Sequence, residues 1–234
     1  RLQYVERLGT YTDWEEVMFD GGNITSHAIS AKGGTKNTKF QSSLSYLNDQ
    51  GVLLTDNFEK VNFRINVSTK LRKRVRFGIN VNPSYTETRR FPIGIHDAIR
   101  QNPWLPQYID EDNIRFVNRF RENGRWSDVQ IGDYAMERMF DDYDLAADQP
   151  DPESSGTDIS STSNQGSTAK VLERDRRKRQ TKVYANTYLK FDLTDDIYLK
   201  QTFGGDFRFT KNTTWIGVEA TRNGELDSES TLNS

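Results

Sequence analysis

The chain has 234 residues, 34% hydrophobic and 28% charged, with a formal net charge of -2 and a mean hydropathy of -0.83. A soluble domain usually carries about 45–50% apolar residues, yet the 12% aromatic content is too high for a disordered chain. The charge points to neither nucleic acid nor an acidic membrane surface, and the absence of cysteine excludes a disulfide framework, thiolate metal sites and cysteine catalysis.

Residues 1–24 read as a lead-in loop with a short helical piece around Trp14 to Phe19. Arg1 opens the chain without a signal peptide, as expected of a processed or partial chain. Residues 25–85 hold four segments that alternate with period two, the signature of strands with one apolar and one polar face. Thr25–Gly33 carries Ile29 and Ala31 on one face, and Lys39–Leu47 sets Phe40, Leu44 and Tyr46 against Gln41, Ser43 and Ser45. In the third, Val61, Phe63, Ile65 and Val67 alternate with Asn62, Arg64, Asn66 and Ser68. In the fourth, Val75, Phe77, Ile79, Val81 and Tyr85 alternate with Arg76, Gly78, Asn80, Asn82 and Ser84.

A long loop fills residues 86–181, and a hairpin follows over 182–210. Its first strand sets Val183, Ala185, Leu189, Phe191 and Leu193 against Lys182, Tyr184, Asn186, Tyr188 and Lys190. The second sets Ile197, Leu199, Phe203, Phe207 and Phe209 against Lys200, Thr202, Asp206 and Arg208. Residues 211–234 begin a further loop.

The connections sort by length. GGTKNT, the turn at LRKR and TDD are short, whereas NDQGVLLTDN and residues 86–181 are long. Successive antiparallel strands place every short turn at one end of the sheet and every long loop at the other, as in outer-membrane barrels. No apolar run is long enough for a transmembrane helix, but barrel strands hide their hydrophobicity in alternation. The expected fold is therefore all-β: antiparallel strands of a transmembrane outer-membrane β-barrel with long extracellular loops. The apolar face would meet the lipid bilayer. Asn62, Arg64, Asn66, Arg76, Asn80, Asn82, Tyr184, Asn186, Tyr188 and Lys190 would face a wet lumen. The alternative is a secreted soluble β-sandwich that binds carbohydrate through Trp104 and Tyr108.

Residues TDWEEVMFDGGNITSHAISAKGGTKNTKFQSSLSYLNDQGVLLTDNFEKVNFRINVSTKLRKRVRFGINVN resemble a long signature of the SusC/RagA family of TonB-linked outer-membrane transporters. The matching positions are Thr12, Asp13, Trp14 and Phe19; Gly33 and Gly34; Ser43, Leu44, Tyr46 and Gly51; Phe58, Arg64 and Asn66; and Phe77, Gly78, Asn80 and Asn82. HDAIRQNPWLPQYIDEDN resembles a family stretch in a long extracellular loop, and YANTYLKFDLTDDIYLKQTFGGDF its next hairpin. Residues 141–179 and the tail after Lys211 are the least family-like. The resemblance implies a barrel of about 22 strands around an N-terminal plug, of which this chain holds the early strands and no plug. It implies a SusD-like surface lipoprotein as lid, TonB acting through the missing plug, a glycan or peptide ligand, and a Bacteroidetes-type outer membrane.

Phe91, His96, Trp104 and Tyr108 concentrate in one loop, where aromatics could stack on sugars, meet a lid protein or simply pack on the barrel's own rim. LRKRVR reads as a solvated tight turn at the periplasmic end, rather than a nucleic-acid patch, because no aromatic platform accompanies it, and ERDRRKRQ reads as a solvated approach to the fifth strand. Asp141–Asp158 reads as a flexible acidic surface loop; it offers oxygens for calcium but lacks the spacing of an EF-hand. His27 and His96 stand far apart, so no catalytic residue, metal site or cofactor is expected.

Overall fold

The computed structural model describes residues 1–160, 166–220 and 229–233. Two short helices open the chain, α1 (Leu2–Leu8) and α2 (Trp14–Met18), and four strands follow: β1 (Asn23–Gly34), β2 (Thr38–Gln50), β3 (Asn57–Arg72) and β4 (Val75–Arg89). The long connection holds α3 (Ile95–Ile99), α4 (Arg121–Gly124), the two-residue strands β5 (Tyr143–Asp144) and β6 (Gln149–Pro150), and α5 (Ser167–Leu172). The chain then returns to the sheet as β7 (Arg174–Asp192), β8 (Tyr198–Ile216) and β9 (Glu229–Asn233). The strands outrun the alternating cores that mark them in the sequence, because β7 and β8 continue through charged residues beyond the apolar stretch.

All seven long strands form one antiparallel sheet in the order β1-β2-β3-β4-β7-β8-β9. Neighbours in space are therefore neighbours along the chain, apart from the excursion between β4 and β7. The β1–β2, β3–β4 and β7–β8 turns are short and lie at one end; the β2–β3 and β4–β7 connections leave from the other. Two of the short turns use the same device. Thr35 Oγ1 accepts from the backbone N–H of Thr38 at 3.2 Å, and Thr194 Oγ1 accepts from that of Ile197 at 3.0 Å. A threonine hydroxyl that satisfies a turn amide makes a tight reversal cheap.

This is one layer of sheet. The sandwich alternative requires a second sheet over the apolar face, yet Phe203, Phe207 and Phe209 stay 63%, 60% and 67% exposed there. The described residues that do form a buried core belong to the lead-in and the long connection. Tyr4, Trp14, Met18, Trp104, Phe116, Phe140 and Tyr143 are among its members, and no residue of β1–β4, β7 or β8 joins them. The lead-in holds the expected helical piece as α2 and α1 besides, and it is part of a loop-end body with its own core.

The TDW stretch fastens that body together. Thr12 donates its hydroxyl to the Leu105 carbonyl at 2.8 Å, and its amide donates to the Pro103 carbonyl at 2.7 Å. Asp13 caps α2 by accepting from the amides of Glu15 and Glu16. Trp14 Nε1 donates to the Asn102 carbonyl at 3.0 Å. Tyr4 donates to the Phe140 carbonyl at 2.7 Å and stacks on Tyr143, with ring centres 4.4 Å apart. Each side-chain bond of this kind contributes about 1 kcal/mol, and burial of the aromatic rings contributes more. Phe140 is fully buried, with Trp104 edge-on to it at 6.2 Å. Replacing it by alanine is expected to cost about 3–5 kcal/mol. Limited proteolysis of the full-length protein should then cut within residues 90–173 while the strands remain protected.

Candidate functional site

Register, rather than any pocket, organises the sheet. Residues paired across an antiparallel ladder share a face, so each row of partners can be read across the strands. One row runs Lys32, Gln41, Asn66, Asn80, Asn186, Gly204. Another places Ser45, Asn62, Ser84, Lys182 and Arg208 together. Arg64 pairs with Ser43, Asn82 with Tyr184, Tyr188 with Gly78, and Lys190 with Arg76. All ten residues expected on a wet face stand on one face of the sheet.

That face is cross-linked by polar contacts. The Ser68 and Tyr188 hydroxyls lie 3.0 Å apart, and Asn186 donates to the Tyr184 hydroxyl at 3.0 Å. The Tyr188 ring lies over Gly78, where a Cβ would collide with it. Glycine is favoured there by the close approach of the ring rather than by backbone angle, since any larger residue would have to displace it. Lys190 sits over the Tyr198 ring at 3.9 Å and Lys200 over the Tyr188 ring at 4.7 Å. Asp192 takes Lys190 at 3.0 Å and Arg76 at 3.5 Å. A hollow of about 620 Å³ opens among Lys39, Gln41, Asn66, Asn80, Asn186 and Tyr188 toward the short turns.

The opposite face changes character at a single row. His27, Tyr46, Val61, Tyr85, Thr181 and Phe209 form the last mostly apolar row before the loop end. The next row toward the loops is Thr25, Asn48, Glu59, Glu87, Arg179 and Lys211. Above the boundary, charges pair with one another: Arg179 with Glu87 at 3.0 Å, Arg177 with Asp175 at 2.6 Å, and Arg89 with Asp175 at 3.1 Å. Below it, β4 shows Val75, Phe77, Ile79, Val81 and Tyr85. That stretch rises about 34 Å along the strand at about 3.4 Å per residue. A tilt near 45° reduces it to about 24 Å, matching the ~25 Å apolar band of a membrane barrel.

The four loop residues singled out by the sequence are not brought together as a platform. Trp104 is 8% exposed and belongs to the core, so its ring is unavailable to a ligand. Phe91 packs against that core, and His96 stands exposed on α3. Tyr108 remains 39% exposed and stacks on Tyr134 at 5.4 Å. The Tyr134 hydroxyl reaches Glu173 at 3.4 Å, and burial, with Glu173 beside it, pushes its pKa up to about 12. Tyr134 carried no sequence signal, since an isolated aromatic in an irregular segment has no period.

The acidic segment is ordered where a flexible surface loop was expected. Asp141 is 1% exposed; its carboxylate accepts from the amides of Ile159 and Ser160, at 2.9 and 2.8 Å. Arg121 lies among Asp142 at 2.8 Å, Asp158 at 3.1 Å and Asp141 at 3.4 Å. Burial raises the Asp142 pKa even so, against the pull of Arg121. Among the described residues, no group of carboxylates and histidines has the arrangement of a metal site.

No family model matches the chain. It is 31% identical over 122 residues to TonB-dependent receptor SusC of Bacteroides thetaiotaomicron, covering 50% of this chain and 12% of that receptor. TonB-dependent receptor P26 of Formosa agariphila is 29% identical over 99 residues, 42% of this chain and 10% of that one. A structure of the RagAB peptide transporter superposes with a TM-score of 0.55 at 15% identity, covering 89% of this chain and 20% of its own. The RagAB peptide importer in its closed-closed state gives 0.54 at 16% identity, covering 88% and 20%. The chain is of SusC/RagA type. It spans about one-eighth of the length of SusC, and its open sheet has the fold of a stretch of outer-membrane barrel wall. Within this SusC/RagA-type segment, the TDW stretch acts as the fastener of the loop-end body.

One contact in that body responds to pH. Hydrogen bonds from Tyr143 and Arg7, at 2.9 and 2.6 Å, hold the Asp148 carboxyl below its ordinary pKa of 3.8. A depressed folded pKa means the contribution is complete above 3.8 and is lost as pH falls through the folded value. The α1 tether to residues 143–148 is therefore expected to loosen on acidification. Hydrogen exchange of residues 2–8, corrected for intrinsic rate, should accelerate below pH 3.8, and Asp148→Asn should exchange faster already at neutral pH.

Proposed function

We propose that this sheet forms part of the wall, and its long connection an extracellular loop, of a TonB-dependent outer-membrane transporter. The transporter imports glycans or oligopeptides in a Bacteroidetes-type outer membrane, with a SusD-like lipoprotein as its lid. The reading is supported above all by the single-row boundary on one face. An apolar band of membrane height, ending in Tyr46 and Tyr85 and then in paired charges, suits lipid below and headgroups above. The other face is mostly polar and suits a wet lumen.

The relatives named as TonB-dependent receptors and the fold shared with the RagAB peptide transporter agree with this reading. The outer edge of β1 has no partner among the described residues. In lipid each unpaired backbone group costs several kcal/mol, so that edge requires a further strand alongside it. The work is import without covalent chemistry. Loops and lid capture the ligand, the polar face guides it, and pulling on a plug outside this chain opens the lumen.

The face assignment is tested by two adjacent substitutions. Ile65 lies near the middle of the apolar band, opposite Val81, and Asn66 on the polar face, opposite Asn80. Ile65→Arg places a cation in mid-bilayer at a cost of about 2–4 kcal/mol and is expected to reduce the heat-modifiable outer-membrane band of the full-length protein. Asn66→Arg should leave that band intact; equal behaviour of the two would overturn the assignment. The native polypeptide should also migrate in the outer-membrane fraction at several times 27.1 kDa, whereas a soluble band at that mass would sink the transporter reading.

A further inference from the structure

The polar face carries far more cations than acids. On β3 it carries Lys60, Arg64 and Lys70 with no carboxylate, and on β7 it carries Arg176, Lys178, Lys182 and Lys190 against Asp192 alone. On β8, Lys200 and Arg208 face Asp206. On β1, β2 and β4 the same face adds Lys32, Lys39 and Arg76, with Asp49 its one acid. Yet the chain as a whole has a net charge of -2. Most of the acids lie instead in the loop-end body and on the opposite face.

The run ERDRRKRQ shows this sorting residue by residue. Its odd positions lie on the side of the apolar band, where Asp175, Arg177 and Arg179 are ion-paired with one another or with Glu87. Its even positions lie on the polar side, where Arg176 and Lys178 are exposed and make no ion pair among the described residues. With Arg90 they meet Thr88, Phe91, Asn212 and Thr214 around a hollow of about 470 Å³ at the loop end that the ion-paired Arg177 also borders, and among the described residues no carboxylate lines it. Cations that need no internal partner, beside hydroxyl and amide donors, form a site for anionic oxygens.

Resting on the reading of this face as lumen wall, we propose that the cargo is an acidic oligosaccharide, whose uronate or sulfate groups first engage Arg90, Arg176 and Lys178. Peptides carry both signs and would want a wall of both signs. A polymer with one negative charge per unit matches a face whose cations recur from the loop end to the short turns. Between those cations, the amides of Asn62, Asn66, Asn80 and Asn186 donate to and accept from sugar hydroxyls. The field of such a face also raises the rate at which an anionic ligand arrives, an effect that salt screens.

The test is calorimetric titration of the full-length protein in detergent with oligogalacturonate, chondroitin sulfate oligosaccharide, maltooligosaccharide and oligoglutamate of matched length. One or both acidic oligosaccharides should bind, more weakly as salt rises, and the neutral one should not. The combined Arg90→Ala, Arg176→Ala, Lys178→Ala variant should lose at least about tenfold in affinity, the scale of one charge-assisted bond. Lys211→Ala, which removes a cation from the opposite face, should leave binding unchanged. Equal binding of neutral and acidic sugars, an unaffected triple variant, or oligoglutamate binding as tightly as the sugars would overturn the proposal. The heat-modifiable band of each variant separates the two readings. A band with no anion preference defeats only the cargo assignment, and a parent protein without a band defeats the barrel.

Discussion

The continuous antiparallel ladder from β1 to β8 is the constraint on which everything else depends. Side chains alternate with period two, so a slip of one residue at any pairing would turn Arg64, Arg76 and Lys182 onto the apolar side and Phe63, Phe77 and Val183 onto the polar one. The observed register avoids this at every interface. It aligns faces that no single strand could define alone. A boundary one residue deep on β4 becomes, through its partners, a boundary across the sheet.

The two ends of the sheet are handled by different means. At the short-turn end, hydroxyl-anchored reversals keep the chain close, and Asp192 gathers Arg76 and Lys190. At the loop end the chain builds a second body, whose buried aromatics are drawn from segments as far apart as Tyr4 and Tyr143. Among the described residues the sheet itself holds no buried core of this kind. Its apolar side chains stay exposed, as a lipid-facing wall would have them, whereas the loop-end body satisfies the hydrophobic effect internally. In the proposed barrel, one polypeptide answers to two solvents.

The strand faces were legible because each is long and strictly alternating; Val61 to Val67 and Val75 to Val81 declare their sides residue by residue. The sorting of connections by length was equally plain. Illegible were the contacts that join distant segments without a period. For Trp104 the sequence left ligand contact and packing on the barrel rim both open; it is core, because Phe140, more than thirty positions later, closes over it. Asp141 to Asp158 read as flexible, since composition alone cannot show that Arg121 and the amides of Ile159 and Ser160 take up those carboxylates. ERDRRKRQ read as solvated charge because its division between two faces appears only once the pairing with β4 and β8 is set.

By itself the sequence determined the all-β character, the two-faced strands and which residues share a side on each, because period-two alternation acts within a strand and needs no partner. Tertiary structure alone decided the single-row boundary, the loop-end core and the separation of paired from unpaired cations. Those depend on which strands lie side by side and in what register, and hydrogen-bond pairing sets that between segments the sequence keeps apart.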